Sequence, residues 1–477
     1  EIVYKRQLPI RKDLRSVAVI GPAADTVSYG DYTETRGRKG GVSVLDGIRA
    51  AVSPETEVLY ERGCNFLGQA LHPFDPSMLR DENGESGLTG HYYNGPVPQG
   101  EPVQVRTDRT VNFNWIFALP HPALDANCFS VVWTGSVVMP RTMDGCIGLS
   151  TQDSMRLYVD DKLLIDGWGK DKSADQALDF HFEAGRTYKI RIEFVNDRRG
   201  ARVIFGYSAG RENFPAAVEA ARKADVAILC MGDNEETSGE NFDRTDLNLP
   251  GRQLELVQAV YATGTPVVLV LQSGRPVTAN WENDHLPAIL EAWFPGEQGG
   301  TAIAKTLFGD AAPGGRLPIT FPRSVGQIPC HYSRRPGGGK RYVEMDWLPL
   351  YPFGYGLTYT TFAYRDMALS RSVIDPQDTV TVSVTVTNTG KYTGDAVPQL
   401  YVRDMFSSVV KPERQLAAFR RLTLAPGESR RVELTVGPKQ LRTLGPDYVW
   451  RVEPGKFELQ LGDNAENILL RADLTVE

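Results

Sequence analysis

The sequence predicts a multidomain protein of mixed class: an α/β sandwich domain interrupted by an antiparallel β insert and followed by a second β-sandwich. Three observations predict it. Continuous apolar runs alternate with helix-like stretches in two separated parts of the chain, strands of alternating polarity lie between them, and short alternating strands with turn signals fill the chain after about residue 365.

The first part opens with SVAVIGPAAD (16–25), VSVLDGIRAAV (42–52) and EVLYERG (57–63), the rhythm of a parallel sheet whose strands are buried on both faces. The rhythm returns in ADVAILCMG (224–232), LELVQAVYATG (254–264), TPVVLVLQSG (265–274) and LPAILEAWFPG (286–296), which assigns residues 1–73 and 211–345 to one discontinuous domain. Between them, FSVVWTGSVVM (129–139), SMRLYVDDKLLID (154–166), YKIRIEFV (188–195) and ARVIFGYS (201–208) alternate in polarity, so 74–210 is assigned to an antiparallel insert. The stretch from Arg334 to Thr361 opens with the flexible run RRPGGGKR; residues 346–364 are assigned as linker and 365–477 as the terminal β-sandwich.

Composition excludes several classes of function. The 477 residues are 41% hydrophobic and 23% charged, as in globular protein, and the net charge of −7 offers no basic surface to nucleic acid or an anionic membrane. No apolar run approaches the roughly 20 residues that span a bilayer. The first residues lack the apolar core of a signal peptide and read as the middle of a protein, so the compartment is left unassigned. Cys64, Cys128, Cys146, Cys230 and Cys330 show no CxxC spacing, and the six histidines form no HxH or HExxH pattern, so no metal is expected. The turn after SVAVIG lacks GxGxxG, so no nucleotide cofactor is expected either.

Several segments resemble, in order, the family 3 glycoside hydrolases, especially β-glucosidases with a PA14 insert. AVIGPAAD, GENFDRTDLNLPGRQ, LVLQSGRPV, AWFPGEQGGTAIAKTLFGDAAPGGRLPITFP and LYPFGYGLTYTTF resemble that family's sandwich domain. GLTGHYY, VVWTG, RLYVDDKLLIDGW and AGRTYKIRIEF resemble a PA14 module, and VTVTNTGKYTGDAVPQLYVRD with KPERQLAAFRRLTLAPGE resembles a fibronectin-III-like tail. The resemblance implies an exo-acting retaining β-glycosidase, with β-glucosidase first and β-xylosidase as an alternative. β-N-acetylglucosaminidases of the fold generally use a barrel His-Asp pair and lack this C-terminal set. It also implies a (β/α)₈ barrel upstream, absent from this sequence, that carries the nucleophilic aspartate. The expected partners are that barrel and a short oligosaccharide or glycoside, with a homo-oligomer left open. A non-catalytic PA14 carbohydrate-binding protein is the rival class, and the acidic loop of the α/β domain speaks against it.

Glu240, in the loop DNEETSGENFDR (233–244) after the strand VAILCMG, matches the family's general acid/base. Glu235 and Glu236 in the same loop are its competitors, while Asp243 and Arg244 are expected to brace the loop through a charged hydrogen bond. Asn241 stands where the family more often has Gly, which enters φ > 0 more freely, so loop geometry is in question there. In the insert, Trp133, Trp168 and Tyr158 fit core positions better than sugar-stacking ones. Asp153, in the loop STQDSM, is carried as a substrate-binding candidate because loops of this module reach the pocket in family members that have it.

Overall fold

The computed structural model describes residues 3–4, 8–33, 40–66, 71–115, 119–151, 153–169, 176–196, 201–209, 214–234, 237–337 and 341–477. The chain divides into two compact units, Glu1–Phe66 with Phe214–Glu477, and Leu67–Asn213.

The first unit is built on a six-stranded sheet. Ser16–Ile20, Glu57–Glu61, Val226–Gly232, Val267–Gln272 and Ala288–Glu291 run parallel, and Val3–Tyr4 joins one edge antiparallel to Ala288–Glu291. Val226–Gly232 and Val267–Gln272 are buried at every residue, which is why their sequences read as unbroken apolar runs. Successive side chains point to opposite faces. Ala227, Leu229 and Met231 pack with Ala217 and Ala221 of the helix Phe214–Lys223 and with Leu256, Val257 and Val260 of Gln253–Tyr261. Ile228 and Cys230 pack with Val44, Leu45 and Ile48 of Val44–Ala51 and with Ile303 and Leu307 of Gly299–Leu307. These last two helices approach closely: a Cβ on Gly300 would lie 1.9 Å from the carbonyl oxygen of Ser43, and one on Gly47 2.2 Å from that of Gly300. Only glycine fits at either position.

The carboxyl end of Val226–Gly232 is sealed by one side chain. Gln253, fully buried, accepts from the Gly232 N–H at 2.8 Å and donates to the Gly232 carbonyl at 2.9 Å and that of Pro250 at 3.1 Å. The strand therefore ends at a fixed point, and the loop beyond it starts from there.

The assigned linker, 346–364, is corrected by the structure. Leu350 and Tyr351 are buried in the α/β core, Tyr351 bridges to Phe321, and Tyr359 is buried against the opposite face of the sheet. The segment lacks periodicity because it packs as irregular chain, so its aromatic residues, not its turn signals, decide its place. The terminal sandwich follows directly, with sheets Phe362–Leu369, Val380–Asn388, Ser429–Val436 and Val373–Ile374, Ile468–Val476, Gly455–Gly462, Gln399–Asp404, Gln415–Phe419 around one apolar core. Buried Gln399 joins it to the α/β part by donating to the Gly354 carbonyl at 3.0 Å and to that of Asp463 at 2.7 Å.

The second unit consists of a seven-stranded and a five-stranded sheet sharing one aromatic-rich core. It is wider than the assigned 74–210 because His72–Pro73 pairs with Gly206–Tyr207 in the smaller sheet. Asp108, 5% exposed, accepts from Trp133 Nε1 at 2.7 Å, from the Tyr92 hydroxyl at 2.5 Å and from Arg106 Nε at 2.7 Å, so the charge is matched by three donors.

Replacing Gln253 by Leu leaves the Gly232 N–H and carbonyl buried without partners and is expected to lower the unfolding free energy by about 2–3 kcal/mol. A urea midpoint equal to that of the unaltered protein would rule this role out.

Candidate active site

The loops at the carboxyl edge of the parallel sheet converge on the turn that carries Glu240. The Phe242 N–H donates to the Gly239 carbonyl at 3.2 Å, closing a four-residue turn with Glu240 and Asn241 at its centre. Asn241 has φ = 64°, and a left-handed third residue is the signature of a type II turn. The left-handed position is filled by asparagine, among the non-glycine residues that best tolerate this conformation. The Glu240 side chain is exposed, and its backbone N–H donates to Asp31 Oδ2 at 3.0 Å. That approach depends on Gly239, where a Cβ would lie 2.8 Å from the same oxygen.

Behind the turn lies a buried carboxylate. Asp233, 1% exposed, immediately follows the Val226–Gly232 strand and accepts from the Thr237 hydroxyl at 3.1 Å and from Arg244 Nη1 at 3.3 Å. Arg275 Nε lies 3.8 Å from its Oδ2. Burial pushes the Asp233 carboxyl above its usual range, opposed by Arg244 and then Arg275. Arg244 also donates to Asp246 Oδ1 at 3.3 Å and to the Asn248 carbonyl at 2.9 Å. It braces the loop as the sequence suggests, but its partners are Asp233 and Asp246, while Asp243 is exposed. Arg275 Nη2 donates to the carbonyls of Thr237 at 3.1 Å and Phe242 at 3.2 Å, one on each side of Glu240.

A second carboxyl stands at the end of Ala288–Glu291, two strands away in the sheet. Glu291 Oε1 accepts from the Trp293 N–H at 2.9 Å, while Oε2 is buried with no hydrogen-bond partner among the described residues. Burial pushes this group up to about 8, the hydrogen bond from Trp293 opposing the shift.

Residues 4–359 match the glycosyl hydrolase family 3 C-terminal domain, and residues 396–465 match a fibronectin type III-like domain. The chain belongs to glycosyl hydrolase family 3. It is 34% identical over 505 residues to a beta-glucosidase of Rhizobium radiobacter, spanning 98% of this chain and 60% of that protein. It is 45% identical over 302 residues to a beta-xylosidase of Formosa agariphila, spanning 61% of this chain and 42% of that one. A solved beta-glucosidase from Kluyveromyces marxianus in complex with glucose matches with a TM-score of 0.74 at 27% identity, over 100% of this chain and 61% of that chain. The family 3 chain thus spans less than two thirds of the length of these relatives.

The other candidates of the family 3 chain fall as follows. Glu235 and Glu236 lie outside the described residues. Asp153 is 5% exposed, in the turn between the strands Met143–Thr151 and Ser154–Val159, and its N–H donates to Thr151 Oγ1 at 3.1 Å. Its burial leaves little carboxylate surface for a ligand. Trp133 is core, stacked with Trp115 and Phe113, whereas Trp168 and Tyr158 are half-buried beneath the guanidinium groups of Arg156 and Arg191. Sequence reasoning missed Asp31, Asp233, Arg275 and Glu291. For Arg275 the available signal was its place just past a fully buried strand, where a charged residue needs a partner.

Asn241→Val, which forces a β-branched residue to positive φ, is expected to speed amide exchange at Phe242 about tenfold or more, whereas Asn241→Gly leaves it unchanged or slower. Equal exchange in all three proteins would contradict the turn assignment. Glu291 is a group whose folded pKa lies above its unfolded value. The stability it contributes is therefore present below about 4.5 and lost as pH rises towards about 8. Glu291→Gln is expected to flatten the fall in unfolding free energy across that window, measured by urea titration at successive pH values, and an unchanged slope would show that this carboxyl is not its source.

Proposed function

We propose that this chain supplies the general acid/base, Glu240, of an exo-acting retaining β-glucosidase that removes terminal sugars from short oligosaccharides or glycosides. The observation that carries the reading is the braced turn. In a family 3 chain whose relatives include beta-glucosidases, it presents one exposed carboxyl at the carboxyl edge of a parallel sheet, where α/β proteins gather their ligand-binding groups.

Retaining hydrolysis needs two carboxyl groups about 5–5.5 Å apart. In this proposal the nucleophilic aspartate and most contacts to the terminal sugar come from a (β/α)₈ barrel outside these residues. The aspartate attacks the anomeric carbon while the Glu240 carboxyl gives its proton to the departing glycosidic oxygen. The carboxylate then takes a proton from water as the water displaces the aspartate. The unit Leu67–Asn213 is read as a PA14-like module that restricts the enzyme to short substrates, a reading supported by its all-β sandwich and by the Rhizobium relative aligning across 98% of the chain. A β-xylosidase is the second reading, favoured by the 45% identity to the Formosa protein. The ratio of kcat/KM on aryl β-glucoside and aryl β-xyloside separates the two.

In the full-length enzyme, Glu240→Gln is expected to lower kcat/KM for cellobiose-like or alkyl glycosides by 10²–10⁴-fold, while a dinitrophenyl glycoside, whose leaving group needs little protonation, loses far less. Azide, which needs no general base, is expected to restore turnover of the dinitrophenyl substrate. Equal loss on both substrates, without azide rescue, would remove Glu240 from the acid/base role.

A further inference from the structure

We infer that Arg275 is a positioning residue for Glu240, acting from a strand end 35 residues downstream. This rests on the acid/base reading of Glu240. Thr237 and Phe242 bracket the glutamate, and a single nitrogen, Arg275 Nη2, holds both of their carbonyls at 3.1 and 3.2 Å. The span of backbone between them is therefore tied at both ends to one point. The guanidinium is 21% exposed and faces the buried Asp233 carboxylate, its Nε 3.8 Å from Oδ2, an ion-pair contact without a hydrogen bond. Asp233 in turn follows the strand end sealed by Gln253. On the far side, Asp31 accepts the Glu240 N–H at 3.0 Å. The turn is thus gripped by groups from two other loops while the carboxyl at its tip stays exposed.

The chemistry makes that grip specific to one substrate class. A proton donor must lie within hydrogen-bond reach of the leaving oxygen, and a misplacement of about 1 Å can cost on the order of 10²-fold in rate. Arg275 touches none of the reacting atoms in this scheme; its effect passes through the position of Glu240. Lysine keeps the charge but not the rigid planar group whose Nη2 holds two carbonyls while its Nε faces a carboxylate.

The test uses the full-length enzyme with Glu240→Gln, Arg275→Met, Arg275→Lys and the double variant Glu240→Gln/Arg275→Met, each checked for folding by thermal melting. Arg275→Met is expected to lower kcat/KM for alkyl glycosides 10–100-fold while changing that for dinitrophenyl glycosides less than about threefold, with Arg275→Lys between it and the unaltered enzyme. In the Glu240→Gln background the Arg275 change is expected to have little further effect on either substrate. If Glu240→Gln discriminates between leaving groups but Arg275→Met lowers both alike, or its effect multiplies fully with that of Glu240→Gln, Arg275 is merely structural and the inference fails alone. If Glu240→Gln shows no discrimination, the acid/base reading fails and takes the inference with it. Should Arg275→Met not fold, the same comparison with Arg275→Lys decides: an equal loss on both substrates overturns the proposal.

Discussion

Burial of the central parallel strands on both faces is the constraint from which the rest of the α/β domain follows. Val226–Gly232 and Val267–Gln272 have no solvent face at any residue, so helices must cover both sides of the sheet. The helix crossing at Gly47 and Gly300 brings two of those helices into backbone contact. Polar chemistry is then confined to the strand ends. There Gln253 satisfies the last residue of one strand, and Asp233, Ser273 and Glu291 begin the loops of three neighbours. A polar group at such an edge is half inside the fold, and each has to be matched or neutralised.

Three carboxyls near this edge meet that requirement differently. Asp233 is buried and faces two guanidinium groups, its Oδ1 accepting from Arg244 and the Thr237 hydroxyl and its Oδ2 lying 3.8 Å from Arg275 Nε. Glu291 has a buried oxygen with no hydrogen-bond partner among the described residues, and burial favours its protonated form near neutrality. Glu240 sits in solvent at the tip of a turn whose backbone, not its side chain, is held. Environment rather than residue type separates the buried ion-paired carboxylate, the buried acid and the exposed carboxyl.

The parts of this arrangement that repeat along the chain were legible in the sequence. Unbroken apolar runs marked the buried parallel strands, period-two alternation marked the antiparallel unit, and the step from VAILCMG into an acidic stretch marked the loop at the strand end. The parts that depend on distant contacts were not. Asp31 lies 209 residues from Glu240 in sequence, and nothing local in SYGDYT indicates that its carboxylate will cap that backbone. The segment 346–364 read as a connector because it has neither helical nor strand period, yet Leu350, Tyr351 and Tyr359 are core. Irregular chain can be buried when its backbone finds partners, as Leu350 and Tyr351 do with the Phe321 carbonyl. Asp153 is a candidate because loops of the module that the insert resembles reach the pocket in family members; between the strands Met143–Thr151 and Ser154–Val159 its carboxylate is instead buried.

The distribution of arginines completes the argument for the loop. On the proposed acid/base reading, an arginine paired with Glu240 would favour the ionised carboxylate and so oppose proton donation. Both guanidinium groups closest to the loop are committed elsewhere, Arg244 to Asp233, Asp246 and the Asn248 carbonyl, Arg275 to Asp233 and two carbonyls. Asp233 thus does more than offset two partly buried cations. By holding them beneath the turn it lets them fix backbone geometry, and it leaves the exposed carboxyl above them without a cation partner among the described residues. A shared buried counter-ion thus lets two arginines hold loop backbone while neither pairs with the exposed carboxyl at its tip.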